Sequence, residues 1–171
     1  MFRPFQQRRR RCARAGFSLV EIMVVVLIIS VLAALSVPIM ARIKRKAKTS
    51  VLVNDFRAFA GAFENYAQEF GTFPAEAAAG VFPTGMDDRI NRTAWARTTP
   101  MGGKYNWENN QLHFGTRYQA AIAISAVAGA PLPLDVTQLQ DLERTFDSTF
   151  DWLGGTFHLG TGLVPLVIVQ P

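Results

Sequence analysis

The chain has 171 residues, of which 49% are hydrophobic, and a net charge of +5 with a sequence pI of about 9.9. Its length allows one domain and an anchor. Six arginines and no acid lie in the first 16 residues, whereas 12 acids exceed 7 bases from Thr49 onward. Because phosphate binding needs an extended basic face, this distribution argues against nucleic acid as a partner.

A basic N-terminus precedes a long apolar segment. Arg8–Arg11 lead into Phe17–Met40, in which Glu21 is the single charged side chain. As a helix these residues would extend about 36 Å, enough to cross a hydrocarbon core of roughly 30 Å. A secretory signal peptide with cleavage near Ala33–Ser36 is the alternative, but its apolar part would be shorter. The basic residues favour a cytoplasmic location for the N-terminus. Five bases in Arg42–Lys48 lie on the other side of the apolar segment, so the difference in charge between its two ends is weak.

Glu21 is the unusual residue of this segment. An acid costs about 3 kcal/mol at the centre of a membrane helix and less near the interface, so such a residue is a functional candidate. The sequence Gly-Phe-Ser-Leu-Val-Glu at residues 16–21, followed by the apolar residues 22–28, resembles the class III signal sequence of type IV pilins and type II secretion pseudopilins. A weaker resemblance, to the helix end of major pseudopilins, runs through Tyr66, Gly71 and Pro74.

The resemblance implies that a prepilin peptidase cuts between Gly16 and Phe17 and methylates the new amine of Phe17. Residues 1–16 would then be a cleaved basic leader, and the single cysteine, Cys12, would leave with it. Glu21 would pair with the Phe17 amine of a neighbouring subunit during assembly. The alternative is that Glu21 only reaches towards the membrane interface.

The helical pattern continues beyond the apolar segment. Pro38 predicts a kink or local melting because proline removes a hydrogen bond and crowds the preceding turn; the alternative is a simple bend between membrane and domain. Residues 17–40 would form the transmembrane and assembly helix, and residues 41–70 its amphipathic half. Gly71 is the predicted helix stop. An apolar stripe at helical spacing consists of Leu52, Phe56, Phe59, Phe63, Tyr66 and Phe70, with Asp55, Arg57, Glu64, Gln68 and Glu69 off it.

Residues 71–171 read as a globular domain. Residues 71–104 predict a long, partly irregular connection. Strands are predicted at Lys104–Glu108, with a turn at Asn109-Asn110, and at Leu112–Ser125, with a break at Gly115.

A second helix and a hairpin complete the predicted domain. Asp135 with Gln138 resembles a capping box, ahead of an apolar face of Val136, Leu139, Leu142 and Phe146. Residues 156–159 and 163–169 predict a β-hairpin, with Pro165 at an edge or bulge. We therefore expect an α+β, pilin-like fold: a long N-terminal helix packed on a small antiparallel sheet of about four strands, with one additional helix.

Candidates for other chemistry are few. The two histidines, His113 and His158, are expected to be structural, since a metal site needs more convergent ligands. Some major pseudopilins bind calcium near the C-terminus, and here Asp147 and Asp151 are the candidate ligands, with Asp87-Asp88 weaker. Because Ca²⁺ takes six to eight oxygens, the expectation is no cofactor, with calcium at Asp147 and Asp151 as the alternative. No catalytic motif is present in the sequence, so an enzyme is not expected.

The resemblance implies a structural subunit of a type II secretion pseudopilus, anchored by a single pass in the bacterial inner membrane with its C-terminal domain in the periplasm. Its expected partners are the prepilin peptidase, further pseudopilins in a helical filament and an inner-membrane assembly platform. The alternatives are a type IV pilus subunit for adhesion, motility or DNA uptake, and a minor binding pilin at the filament tip. The chain after residue 16 has no cysteine, which mildly disfavours adhesive pilins with a C-terminal disulfide.

Overall fold

The computed structural model describes residues 16–147 and 151–171, which form two compact units that divide between Ala41 and Arg42. The helices are α1 Leu19–Phe70, α2 Arg92–Ala96 and α3 Val136–Phe146. The strands are β1 Lys104–His113, β2 Thr116–Ser125, β3 Phe157–Gly160 and β4 Val164–Gln170.

The described residues of the first unit, 16–41, contain the start of α1 and no buried side chain. The helix begins at Leu19, and the hydroxyl of Ser18 accepts a backbone N–H two residues on at 3.3 Å, as an N-cap does. Every residue in Phe17–Ala41 is exposed. The hydroxyls of Ser30 and Ser36 donate to carbonyls four residues earlier, so neither hydroxyl adds an unpaired polar group to the apolar surface.

By length and composition, α1 is the one helix among the described residues that could cross a membrane, with a mean hydropathy of 2.9 in its most apolar window. Pro38 lies inside this helix, and residues on both sides of it are helical. The predicted kink at Pro38 stays a prediction.

The second unit is built on the amphipathic end of α1. The stripe prediction is confirmed for Leu52, Phe56, Phe59 and Phe63, all of which are buried. Phe63 stacks on Trp107 of β1, with ring centroids 3.6 Å apart and planes 8° apart. Phe59 meets Tyr105 of β1 edge-on at 5.1 Å. Aromatic rings thus supply most of the contact between helix and sheet, because each ring buries a large apolar area.

The four strands form one antiparallel sheet in the order β1-β2-β4-β3. Alternate side chains of β2 point to opposite faces of the sheet. Ala120, Ile122 and Ile124 belong to the core that includes α1. Ala121 and Ala123 pack with Leu166 on the other face. The predicted α+β fold is therefore observed, with α3 as the additional helix.

The turn predicted at Asn109-Asn110 was wrong. Strand β1 runs through both residues to His113. The backbone of Asn110, inside this strand, is left-handed with φ 59°. The chain reverses instead at Phe114 and Gly115, both of which have positive φ. Two positive φ angles define the tight hairpin turn whose twist matches that of its strands. The predicted break at Gly115 is therefore the hairpin between β1 and β2.

Pro165 was predicted at an edge or bulge; β4 is not an edge strand, since it lies between β2 and β3, but Pro165 itself is paired on one side only. Proline is tolerated there because the pairing of β2 with β4 covers only Leu166 to Gln170. Pro165 pairs with Leu159 of β3 alone. A missing N–H at this end of the strand therefore costs no ladder hydrogen bond to β2.

The connection from Gly71 to the sheet is irregular, as predicted, but it contributes to the core. Gly71 ends α1 in the left-handed conformation at φ 73°, as predicted. Sequence analysis missed α2, which the side chain of Asn91 caps by accepting the N–H of Ala94 at 3.0 Å. The buried residues of this connection include Ala77, Met86, Ile90, Trp95 and Met101.

Asp55 was predicted to lie off the packed stripe, and this was wrong. It is buried, accepts the hydroxyl of Tyr105 at 2.7 Å and pairs with Arg97. Burial, and then the hydrogen bond to Asp55, raise the pKa of Tyr105. The hydrogen bond to Asp55 likewise raises the pKa of Arg97. This carboxylate therefore joins α1, β1 and the segment after α2 through one buried oxygen.

Replacing Asp55 with alanine should destabilise the second unit, because the Tyr105 hydroxyl and the Arg97 guanidinium lose their shared acceptor. We expect a loss of about 2 kcal/mol in the free energy of unfolding. The measurement is urea unfolding of the full chain in detergent, followed by tryptophan fluorescence, since Trp95, Trp107 and Trp152 all lie in this unit.

Glu64→Ala is the matched control, since Glu64 is an exposed acid of the same helix. Its free energy of unfolding should change by less than about 0.5 kcal/mol. Equal losses in the Asp55 and Glu64 variants would contradict a structural role for the buried carboxylate.

Candidate functional site: the N-terminal motif and the acidic loop

Gly16 and Phe17 precede the helix and are exposed. A Cβ added at Gly16 would meet no atom within 4 Å among the described residues. The described part of the fold therefore leaves space for a side chain at position 16. The Phe17 side chain is 78% exposed, so it is equally free to enter another protein.

Glu21 lies in the first turn of α1 and is exposed. An acid in a first turn is stabilised by the partial positive charge of the helix N-terminus. Among the described residues no side chain forms an ion pair with it. A partner for its charge therefore has to come from beyond the described residues.

The surface around Glu21 is apolar on every side of the helix. Large exposed side chains follow one another along this part of α1, for example Leu19 at 82%, Met23 at 67% and Leu27 at 64%. Soluble monomers rarely expose contiguous apolar patches above a few hundred Å². The first unit can therefore persist only where lipid or other apolar helices cover it.

Asp147 and Asp151, the candidate calcium ligands, lie on either side of residues 148–150, which are outside the described residues. Asp147 ends α3, and its oxygens accept the N–H groups of Thr156 at 2.8 Å and Phe157 at 2.7 Å. Asp151 accepts the N–H of Leu153 at 3.1 Å. Asp147 thereby joins the end of α3 to the start of β3.

Among the described residues no group of three metal-ligating side chains occurs, and Ca²⁺ takes six to eight oxygens. Because residues 148–150 lie outside the described residues, calcium at Asp147 and Asp151 stays a prediction. Of the weaker candidates, Asp87 pairs with Arg92, and Asp88 is exposed beside it.

Sequence analysis missed Glu143, a fully buried acid on α3. One oxygen accepts the N–H of Asp151 at 3.2 Å, and the other has no partner among the described residues. Burial, and then the charges of Asp147 and Asp151, raise the pKa of Glu143 to about 6, although the Asp151 N–H lowers it. Its spacing of four from the buried Leu139 was the available signal, since residues i and i+4 share a helix face.

The two histidines hold strands and turns together. His113 contacts Glu108 at 2.6 Å and accepts the N–H of Thr161 at 3.1 Å, which joins the β1 end to the β3–β4 turn. His158 contacts the hydroxyl of Tyr118 at 2.9 Å and the carbonyl of Gly155 at 3.0 Å. Both rings are thus fixed by protein groups, in keeping with the structural role expected.

Comparisons with known proteins agree with this geometry. The family model described as the prokaryotic N-terminal methylation motif matches residues 11–37. A curated relative, the type II secretion system core protein G of Pseudomonas aeruginosa, is 41% identical over 69 residues, which are 40% of this chain and 46% of that protein. The chain thus spans about half the length of that relative.

A solved structure supports the fold. The major type IV pilin PilA1 of Clostridium difficile matches with a TM-score of 0.50 at 15% identity, covering 74% of this chain and 97% of that one. At such low identity the likeness shows the fold alone. The chain thus carries a prokaryotic N-terminal methylation motif at residues 11–37, and its fold is similar to that of a type IV pilin.

Proposed function

We propose that the chain is a structural subunit, not an enzyme, of a type II secretion pseudopilus, a helical filament assembled from the inner membrane. The observation that carries this proposal is Glu21, the single charged residue of Phe17–Ala41, in a helix whose apolar side chains are exposed all round. A filament core made of such helices would cover the apolar surface. It would also bring each Glu21 a counter-charge, which no side chain among the described residues supplies.

Cleavage between Gly16 and Phe17 supplies that counter-charge. It removes six arginines and creates an ammonium group at Phe17, and methylation of this amine keeps the charge. An unpaired ion in an apolar core costs several kcal/mol, whereas a close pair recovers much of that cost. The Phe17 amine of one subunit and Glu21 of its neighbour would therefore favour one stagger between adjacent helices.

The secretion system is favoured over a pilus by two observations. The partial relative is named for a type II secretion system, and the chain from Phe17 onward has no cysteine that could close a disulfide loop. A type IV pilus subunit is the second candidate, because the pilin fold serves it equally well. A pilus would require filaments outside the cell, whereas a secretion pseudopilus would require loss of exported protein when the gene is deleted.

The remaining partners follow from the same proposal. The prepilin peptidase would act on Gly16 and Phe17, and an inner-membrane assembly platform would move the helix from lipid into the filament. The apolar helix would hold the chain in the bacterial inner membrane, with the second unit in the periplasm. The six leader arginines support this orientation, because basic flanks stay in the cytoplasm.

We further propose that the acidic loop needs no metal ion. The support is that Asp147 already accepts two backbone N–H groups. These hydrogen bonds join α3 to β3 without a bound cation. The buried Glu143, with its raised pKa of about 6, also lowers the need for a counter-ion in mildly acidic conditions.

Glu21→Gln should leave membrane insertion intact and block filament assembly, because the amide keeps the shape of the side chain but cannot neutralise the Phe17 amine. We expect the filament yield to fall by about tenfold or more. The measurement is the amount of subunit in sheared filaments relative to carbonate-resistant membranes. Ser30→Ala, which removes a hydroxyl already bonded inside the helix, should assemble normally. Normal filaments from the Glu21 variant would refute the pairing.

The unfolding midpoint of the full chain in urea should be the same with excess calcium chloride and with EGTA. Asp147→Ala should lower the free energy of unfolding by about 1–2 kcal/mol in both, because two N–H groups lose their acceptor. Asp88→Ala, at an exposed acid, should change it by less than about 0.5 kcal/mol. A calcium-dependent midpoint in the wild type that disappears in the Asp147 variant would show that the loop binds the ion.

A further inference from the structure

Four exposed bases follow the apolar segment directly. Arg42, Lys44, Lys46 and Lys48 form no ion pair with any carboxylate in residues 16–147 and 151–171. The fifth base of this stretch, Arg45, differs because it bonds Asp141 of α3 at 3.0 Å. We refer to Arg42, Lys44, Lys46 and Lys48 as the basic ring.

The basic ring surrounds the helix instead of lining one face. At 3.6 residues per turn, Arg42 and Lys46 lie on one side of α1, and Lys44 and Lys48 lie roughly opposite them. The domain lies on the side of Arg45, which falls between the two pairs and bonds Asp141 of α3. A single protein partner docks against one face of a helix, whereas lipid head groups approach from all free sides.

The height of the basic ring also suits a head-group layer. Arg42 to Lys48 rise about 9 Å along the axis, and the polar region of one leaflet is roughly 5–8 Å thick. Long basic side chains extend their charges to that region while their stems cover apolar surface. Because Met40 ends the apolar segment two residues before Arg42, the basic ring comes where a membrane helix would leave the hydrocarbon.

The charge of the second unit beyond the basic ring has the opposite sign. From Thr49 onward the chain has 12 acids and 7 bases. An anionic membrane surface would therefore repel the domain and attract only the basic ring. This attraction falls off within a Debye length of the surface, which favours a contact confined to the first turns after the anchor.

We propose that the basic ring binds anionic phospholipid head groups and holds the subunit in the bilayer before assembly. This inference rests on the membrane anchor of the proposed function, but not on filament formation. Leaving the membrane would require these head-group contacts to be exchanged for contacts with other subunits. The basic ring therefore sets part of the energetic cost of extraction.

The test uses the full chain reconstituted in phosphatidylcholine vesicles, with trace spin-labelled phosphatidylglycerol or phosphatidylcholine. The relative association of the two labelled lipids with the protein is read from the immobilised fraction of the spectrum. The test variant combines Arg42→Gln, Lys44→Gln, Lys46→Gln and Lys48→Gln, since glutamine keeps helix propensity. One control exchanges arginine and lysine at the same four positions, and a second is Arg45→Gln. The leader arginines are the same in all variants.

We expect the wild type to prefer phosphatidylglycerol by about fivefold or more at low salt. The charge-preserving control and Arg45→Gln should keep most of this preference. The fourfold glutamine variant should lower it to the level that the leader arginines alone support, and high salt should remove it. An unchanged preference in the glutamine variant would overturn the inference. If that variant also fails to form filaments, the basic ring instead contacts an acidic surface of a second copy. A wild-type chain extracted by carbonate would overturn the membrane anchor as well, which separates the two failures.

Discussion

The apolar surface between Leu19 and Met40 is the constraint on which the rest of the molecule depends. Its side chains are exposed on all sides, and the backbone and serine hydroxyls inside it are satisfied by the helix itself. Such a segment is stable in lipid, where only internally bonded backbone is tolerated. It is equally stable among other apolar helices, which would permit the proposed transfer from membrane to filament.

The same helix continues into the domain with a different surface. Beyond the basic ring, one face of α1 contributes Leu52, Phe56, Phe59 and Phe63 to the core, and the sheet covers them with Tyr105 and Trp107. The buried Asp55 adds a polar contact that joins helix, strand and connecting segment. The second unit thus encloses the amphipathic end of the helix, whereas the apolar residues of the first unit are exposed.

Much of this arrangement could be predicted from the sequence, because periodicity and local turn chemistry act over short distances. The stripe on α1, its end at Gly71, the N-cap at Asp135 and the final hairpin were all visible in this way. Each of these features is determined by residues close together in the sequence, so it can be recognised without knowing the rest of the fold.

The predictions failed at residues whose burial or pairing depends on residues far away in the sequence. Asp55 is buried because Tyr105 and Arg97 come to it from elsewhere, and Glu143 because a later loop covers it. Pro165 is tolerated in an inner strand because β2 is paired only beyond it. The N-terminal motif was recognised from its residues, but its partner groups lie outside this chain, so its action remains a proposal.

The most direct test of the account is the intact mass and N-terminal sequence of the protein from membranes of cells that contain a prepilin peptidase. The account predicts a chain that begins at a methylated Phe17, without the leader and without Cys12. A chain that still begins at Met1 would contradict it, because no amine would then be available at Phe17 to neutralise Glu21.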